Sequence, residues 1–146
     1  MAANFNVQLR KLGFTNIVGV DISDKSLEMA KLTGLYDSLH NCDVMKDKLP
    51  FDDDSFDALL CVGGFMPSHV NQAVFPEFRR VVKPGGIILI AMREKYIHTA
   101  PEYRRGQLDS AIVRFVEDDY FDYLYRLRYP GFIQDFAGII FALRVK

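Results

Sequence analysis

Charge of one sign is what this sequence lacks most plainly. Its 18 Lys and Arg residues nearly balance 19 Asp and Glu, for a net charge of −1. Nucleic-acid binding leans on phosphate neutralisation by basic side chains, so the balance gives no case for a nucleic-acid partner, and none for a membrane. No apolar run approaches the roughly 20 residues that cross a bilayer. Residues 1–6 have neither a basic start nor an apolar core, so no secretion signal is expected. Cysteine is scarce: Cys42 and Cys61 each end an apolar segment. They read as small buried side chains rather than a disulfide or a reactive thiol, which fits a reducing, cytoplasmic setting. A serine nucleophile elbow and a P-loop are both missing, which removes support for hydrolase and NTPase readings. The histidines His40, His69 and His98 fit no zinc spacing. Asp52, Asp53, Asp54 and Asp57 lack the spaced ligands, glycine and closing glutamate of a calcium loop. They read as a solvated turn, and no metal is expected. No Pro-, Gly- or Ser-rich linker divides the chain, so its 146 residues suit one domain.

What is present is apolar and periodic. Hydrophobic residues make up 49%, with twelve Phe and seven Tyr to fill a core. Phe5, Leu9 and Leu12 share a helical face, and Gly13 stands where a helix ends. Residues 17–20 form a β-branched strand ending at Asp21. Ser23 is placed to cap a helix whose Leu27 and Ala30 point one way, with Gly34 as its stop. Residues 38–42 read as a short strand and 56–62 as a continuous apolar strand of the kind covered on both faces. Gly63 and Gly64 punctuate it. Pro76 suits a helix's first turn. Lys83-Pro84-Gly85-Gly86 reads as a turn before an apolar strand at 87–91. Thr99 and Glu102 make a capping box for a helix carrying Leu108, Ala111, Ile112 and Phe115. Then the period falls to two: Phe121, Tyr123, Tyr125, Leu127 and Tyr129 alternate with polar residues. Pro130-Gly131 reads as the turn of an antiparallel pair with 136–145. Helices alternating with strands imply a parallel sheet.

Asp21 is a carboxylate at the C-terminal tip of a strand, where open α/β sheets bind ligands. It can accept hydrogen bonds from the two hydroxyls of a ribose, or it can start a turn; Ser23 as cap favours the first. Asp43, after the next strand, can meet an exocyclic adenine amine, with the Val44 backbone at the ring edge, or serve as an Asx-turn residue. His69 follows the Gly63-Gly64 turn and His98 follows the strand at 87–91, so each could act as a base or simply lie at the surface. The aromatic stripe at 121–129 lacks an interleaved basic patch beyond Arg126 and Arg128 and reads as a packed strand, not a base-stacking platform.

Four stretches in order carry a resemblance: Val18-Gly19-Val20-Asp21-Ile22, Asn41-Cys42-Asp43-Val44, Phe56-Asp57-Ala58 and Lys83-Pro84-Gly85-Gly86. Together they resemble the class I S-adenosylmethionine-dependent methyltransferase family. The subgroup most similar, through Gly34-Leu35-Tyr36 as well, is the methyltransferase-like proteins of the Williams-Beuren region type. The resemblance implies an α/β fold: a Rossmann-like, mostly parallel sheet with helices on both faces and a C-terminal antiparallel hairpin. It implies S-adenosylmethionine as cofactor, with Asp21 on the ribose, Ile22 packing adenine, Asp43 and Val44 at the adenine edge, and Cys61, Val62 and Gly63 beneath the methionine part. Asp57 and the Lys83–Gly86 turn are structural in it. His69 and His98 are the candidates for polarising an acceptor, in a pocket built from 63–70 and 96–105. A neutral domain favours a small-molecule acceptor.

The family's first strand and its glycine-rich loop have no counterpart before Asp21. The resemblance therefore implies a single methyltransferase-like domain over 1–146 that is N-terminally truncated relative to the family. The strands flanking the gap would pair directly, or a second copy would fill it in a homodimer, or the chain is a fragment. The alternative function is a catalytically silent relative acting as an interaction module. A nicotinamide-dependent dehydrogenase shares the acidic residue but needs the same glycine fingerprint, and the antiparallel end suits it less.

Overall fold

The computed structural model describes residues 2–146, with only the backbone described for 2–5. The chain divides into two compact units, Met1–Pro50 and Phe51–Lys146.

In the first unit, α1 (Ala2–Lys11) closes where the sequence places its stop: Gly13 takes φ +92°, and its N–H donates to the Arg10 carbonyl at 3.0 Å. Leu9 is half-buried, but Leu12, expected beside it, is 74% exposed because it falls in the turn beyond the helix. The Phe5 side chain lies outside the described residues. β1 (Val18–Asp21) runs parallel to β2 (Ser38–Asn41), with Val18 opposite Ser38 and Asp21 opposite Asn41. The crossover is α2 (Asp24–Leu32), whose start is capped by Ser23 Oγ accepting from the Ser26 N–H at 3.2 Å. Leu27 and Ala30 are half-buried on one side of α2, as their spacing requires. Asp37 ties the unit together. Its carboxylate accepts from the Ile17 N–H at 2.6 Å and from Arg10 Nη2 at 2.9 Å. The Ile17 N–H first, and the Arg10 guanidinium with it, holds the Asp37 carboxyl below its usual range.

The second unit is a four-stranded sheet in the order β3-β4-β6-β5. β3 (Phe56–Val62) is parallel to β4 (Val82–Arg93), reached through a 3₁₀ turn at Gln72–Val74 and α3 (Phe75–Val81), with Pro76 in its first turn. β6 (Phe136–Val145) is antiparallel to both β4 and β5 (Phe121–Ile133). Among the described residues β3 pairs with β4 alone, so its continuous apolar run forms an edge of this sheet, and its residues are at most half-buried. Ile88, Ile90 and Met92 of β4 stand opposite Leu143, Phe141 and Ile139 of β6, and all six side chains are buried on one sheet face. An aromatic cluster completes the core. Phe75 meets Phe65, Phe115 and Phe121 at ring separations of 6.1, 5.3 and 6.0 Å. The fully buried rings of Phe65, Phe75 and Phe121 each contribute about 1.5–3 kcal/mol by leaving water.

Three local readings are corrected. Lys83–Gly86 is not a free-standing turn but an excursion inside β4: Phe56 pairs with Val82 and Ala58 with Ile87, so four residues bulge opposite Asp57. The capping box does not form. Thr99 ends α4 (Glu94–Thr99), its hydroxyl donating to the Lys95 carbonyl at 2.9 Å, and α5 starts at Gln107 (Gln107–Glu117). Pro130-Gly131 also stays within β5, and the chain reverses at Gln134-Asp135, where Gln134 takes φ +53°.

Candidate functional site

The parallel register brings the C-terminal tips of β1 and β2 side by side. The Cys42 N–H donates to the Asp21 carbonyl at 3.2 Å, so Asp21 and Asp43 leave the same end of the small sheet. Asp21 is exposed, and its Oδ1 accepts from the Ser23 N–H at 2.8 Å. Ile22 follows with 59% of its surface exposed, an apolar side chain standing beside a carboxylate. Asn41 fixes this turn from the neighbouring strand: its Nδ2 donates to the Ile22 carbonyl at 3.1 Å and to Asp24 Oδ1 at 2.7 Å. Asn41 has no signal in the sequence beyond its place at a strand end.

Asp43 forms an Asx-type turn, with Oδ1 accepting from the Met45 N–H at 3.1 Å and Oδ2 paired with Lys46 Nζ at 3.1 Å. The Lys46 side chain, then the Met45 N–H, keep the Asp43 carboxyl below its usual range. Val44 is half-buried next to it.

In the second unit, β3 ends at Val62, 48% exposed, and Gly63 turns away at φ +75° with its N–H donating to the Ala91 carbonyl at 2.8 Å. Burial pushes the Cys61 thiol up to about 12, against the smaller opposing pull of the Gly64 and Phe65 N–H groups. A raised thiol pKa leaves Cys61 protonated at neutral pH, the less nucleophilic form.

The segments 63–70 and 96–105, from which the resemblance builds an acceptor pocket, are joined by hydrogen bonds. Ser68 takes φ +62°, and its N–H donates to Glu102 Oε1 at 2.9 Å. The fully buried Tyr103 hydroxyl reaches the Met66 carbonyl at 3.1 Å and the Val70 carbonyl. His69 is exposed on this loop, its Nδ1 2.9 Å from the Pro67 carbonyl. His98 lies apart, exposed on α4. Glu102 and Tyr103 were not legible as a pair: Glu102 mimics a capping-box residue, and an aromatic at 103 has no periodic partner.

The acidic turn is engaged by cations. Arg80 donates to Asp53 Oδ1 at 2.8 Å, to the Phe51 carbonyl at 2.8 Å and to both carboxylate oxygens of Glu77, while Lys83 pairs with Asp57 at 2.8 Å.

Parallel βαβ crossovers with carboxylates at the C-terminal strand tips define a nucleotide-type α/β protein. The chain belongs to the methyltransferase domain family, whose model matches residues 2–90. It is 38% identical over 86 residues to human methyltransferase-like protein 27, an alignment covering 59% of this chain and 35% of that one. It is 30% identical over 109 residues to the sterol 24-C-methyltransferase ERG6B of Gibberella zeae, covering 70% of this chain and 29% of that one. The chain thus spans about a third of the length of these curated relatives. Among solved structures, it superposes on an S-adenosylmethionine-dependent methyltransferase from Mesorhizobium loti with a TM-score of 0.70 at 15% identity, covering 96% of this chain and 85% of that one. A methyltransferase from Haloferax volcanii, solved in complex with the Trm112 activator, gives 0.73 at 16% identity, covering 98% and 78%. At these identities the superpositions speak for the fold. Among the described residues no helix is long and apolar enough to cross a membrane.

Proposed function

We propose that this chain is an S-adenosylmethionine-dependent methyltransferase domain, 1–146, acting on a small-molecule acceptor. The observation that carries the reading is the exposed Asp21–Ile22 pair at the tip of β1, braced by Ser23 and Asn41. Asp21 Oδ1 is already used by a backbone N–H, and its second oxygen is placed at an exposed edge where ribose hydroxyls can donate to it. Ile22 offers adenine an apolar surface. Asp43, with a lone pair to spare on each oxygen, and Val44 take the exocyclic amine and the ring edge. In the second unit, the family resemblance assigns the methionine part to Cys61, Val62 and Gly63. The turn at Gly63 and a neutral Cys61 suit that part by bringing backbone close without adding charge.

When bound, S-adenosylmethionine would be held at its nucleoside end by Asp21, Ile22, Asp43 and Val44 and would supply an electrophilic methyl on a sulfonium to an acceptor's lone pair. The protein's part is position, shielding and removal of the acceptor's proton. His69 is the base we assign, on an exposed loop directly after β3; His98 is the second candidate. Near-neutral charge supports a small acceptor, and the sparing use of cysteine supports a reducing, cytoplasmic setting.

The test is calorimetric titration with S-adenosylhomocysteine. Binding is expected, and Asp21→Ala should weaken it by about 1.5–3 kcal/mol, the range for hydrogen bonds to a charged group. Unchanged affinity in the variant would overturn the ribose assignment. No binding by the wild-type chain would favour the interaction-module reading instead.

A further inference from the structure

The loop at 64–70 is held by more than its own backbone. Ser68 sits in the left-handed region, at φ +62°, which a non-glycine residue adopts only when its surroundings impose it. Two side chains from one short stretch supply the constraint: Glu102 Oε1 accepts the Ser68 N–H, and the Tyr103 hydroxyl bridges the carbonyls of Met66 and Val70 on either side of it. Tyr103 is itself anchored, fully buried with its ring 6.0 Å from Phe65. Between these fixed points stands His69. A carbonyl oxygen can only accept, so the 2.9 Å contact with the Pro67 carbonyl makes Nδ1 the donor. In the neutral ring the proton is then on Nδ1, and Nε2 is left with an open lone pair.

We propose that Glu102 and Tyr103 are positioning residues. They hold the 64–70 loop in the conformation that fixes His69 as its Nδ1–H tautomer and presents Nε2 as proton acceptor. The inference rests on the methyltransferase reading and deepens it: an Nε2 base selects acceptors whose attacking atom carries a proton, such as a hydroxyl or amine. The proton passes from that atom to Nε2 as the methyl arrives, leaving an imidazolium.

The tautomer can be read without cofactor or acceptor. Long-range ¹H–¹⁵N correlation spectra of the ¹⁵N-labelled chain, recorded at about pH 8 where an ordinary imidazole is neutral, report which nitrogen carries the proton. His69→Gln assigns the signal. The expected result is a mainly Nδ1–H ring in the wild type. Its share should fall at least about twofold, on the scale of lost local order, in Tyr103→Phe, which keeps the buried ring, and in Glu102→Ala. It should recover in Glu102→Gln, which keeps an acceptor for the Ser68 N–H. A mainly Nε2–H ring in the wild type, an unchanged share in Tyr103→Phe and Glu102→Ala, or a Gln variant no better than Ala would each overturn the proposal. Calorimetry with S-adenosylhomocysteine on the same wild-type sample is read separately. Absent binding there overturns the methyltransferase reading, whatever the tautomer shows.

Discussion

At the scale of single residues, the tightest demand lies in the Lys83–Gly86 excursion. A Cβ added to Gly86 would stand 2.5 Å from Val82 Cγ1, 2.8 Å from the Asp57 carbonyl oxygen and 2.8 Å from that of Lys83. Two of those neighbours are backbone, so neither a rotamer change nor a flexible side chain can make room. Gly86→Ala should therefore cost about 1–3 kcal/mol of stability, as other overpacked sites do, measured by urea denaturation. At Gly85 the space is open but φ is +82°, so the same substitution there strains only the backbone, costing about 1 kcal/mol. Equal stability of Gly86→Ala and wild type would show that the bulge can open. The sequence announces a Pro-Gly-Gly break and nothing of the crowding. That comes from Asp57, whose backbone approaches from another strand.

Among the elements, the link between the 51–54 turn and α3 shows what residue types alone conceal. Asp52, Asp53 and Asp54 look like a solvated cluster, and Asp53 remains 71% exposed, yet Arg80, 17% exposed, gathers Asp53, the Phe51 carbonyl and Glu77 into one fork. The fork raises the Arg80 pKa, Glu77 being the largest cause. Asp53 is too exposed to contribute much, so the bonds to Glu77 and to the carbonyl dominate. Arg80→Ala should lose about 1–2 kcal/mol. Arg80→Lys should recover little of that, since an ammonium cannot reproduce a planar fork. Thermal melts of both variants test this, and a Lys variant as stable as wild type would reduce the fork to a point charge. Elements with strong local signals were legible: the Ser23 cap, the apolar strands and the 136–145 strand fall where periodicity puts them. Irregular pairing was not. Tyr123 stands opposite Leu143 and Tyr125 opposite Ala142, so a bulge at Leu124 sends the two tyrosines to opposite faces and breaks the two-residue period.

For the whole molecule, the two units are built to different standards, and that difference is measurable. The first unit has a two-stranded sheet, and none of the residues of α2 is buried. Two strands with so little covering are marginal on their own. The second has four strands and a buried face of Ile88, Ile90, Met92, Phe141 and Leu143 backed by the aromatic cluster. The candidate residues of the two units also differ in how readable they are. Asp21 and Asp43 lie on short local motifs that a linear pattern can show. The Glu102–Tyr103 clamp joins residues more than thirty positions apart through a backbone N–H and two carbonyls, groups every sequence possesses. Native-state hydrogen exchange should record the asymmetry. The amides of Val18 and Val20 should exchange at least about 100-fold faster than those of Ile88, Ile90 and Leu143, a gap of roughly 2.7 kcal/mol in opening free energy. S-adenosylhomocysteine bound at Asp21 should raise the protection of Val18 and Val20, because a ligand stabilises the conformation it binds. Equal protection without ligand would mean that both units open in a single cooperative step. Protection of Val18 and Val20 that S-adenosylhomocysteine leaves unchanged would show that Asp21 and Ile22 do not hold it.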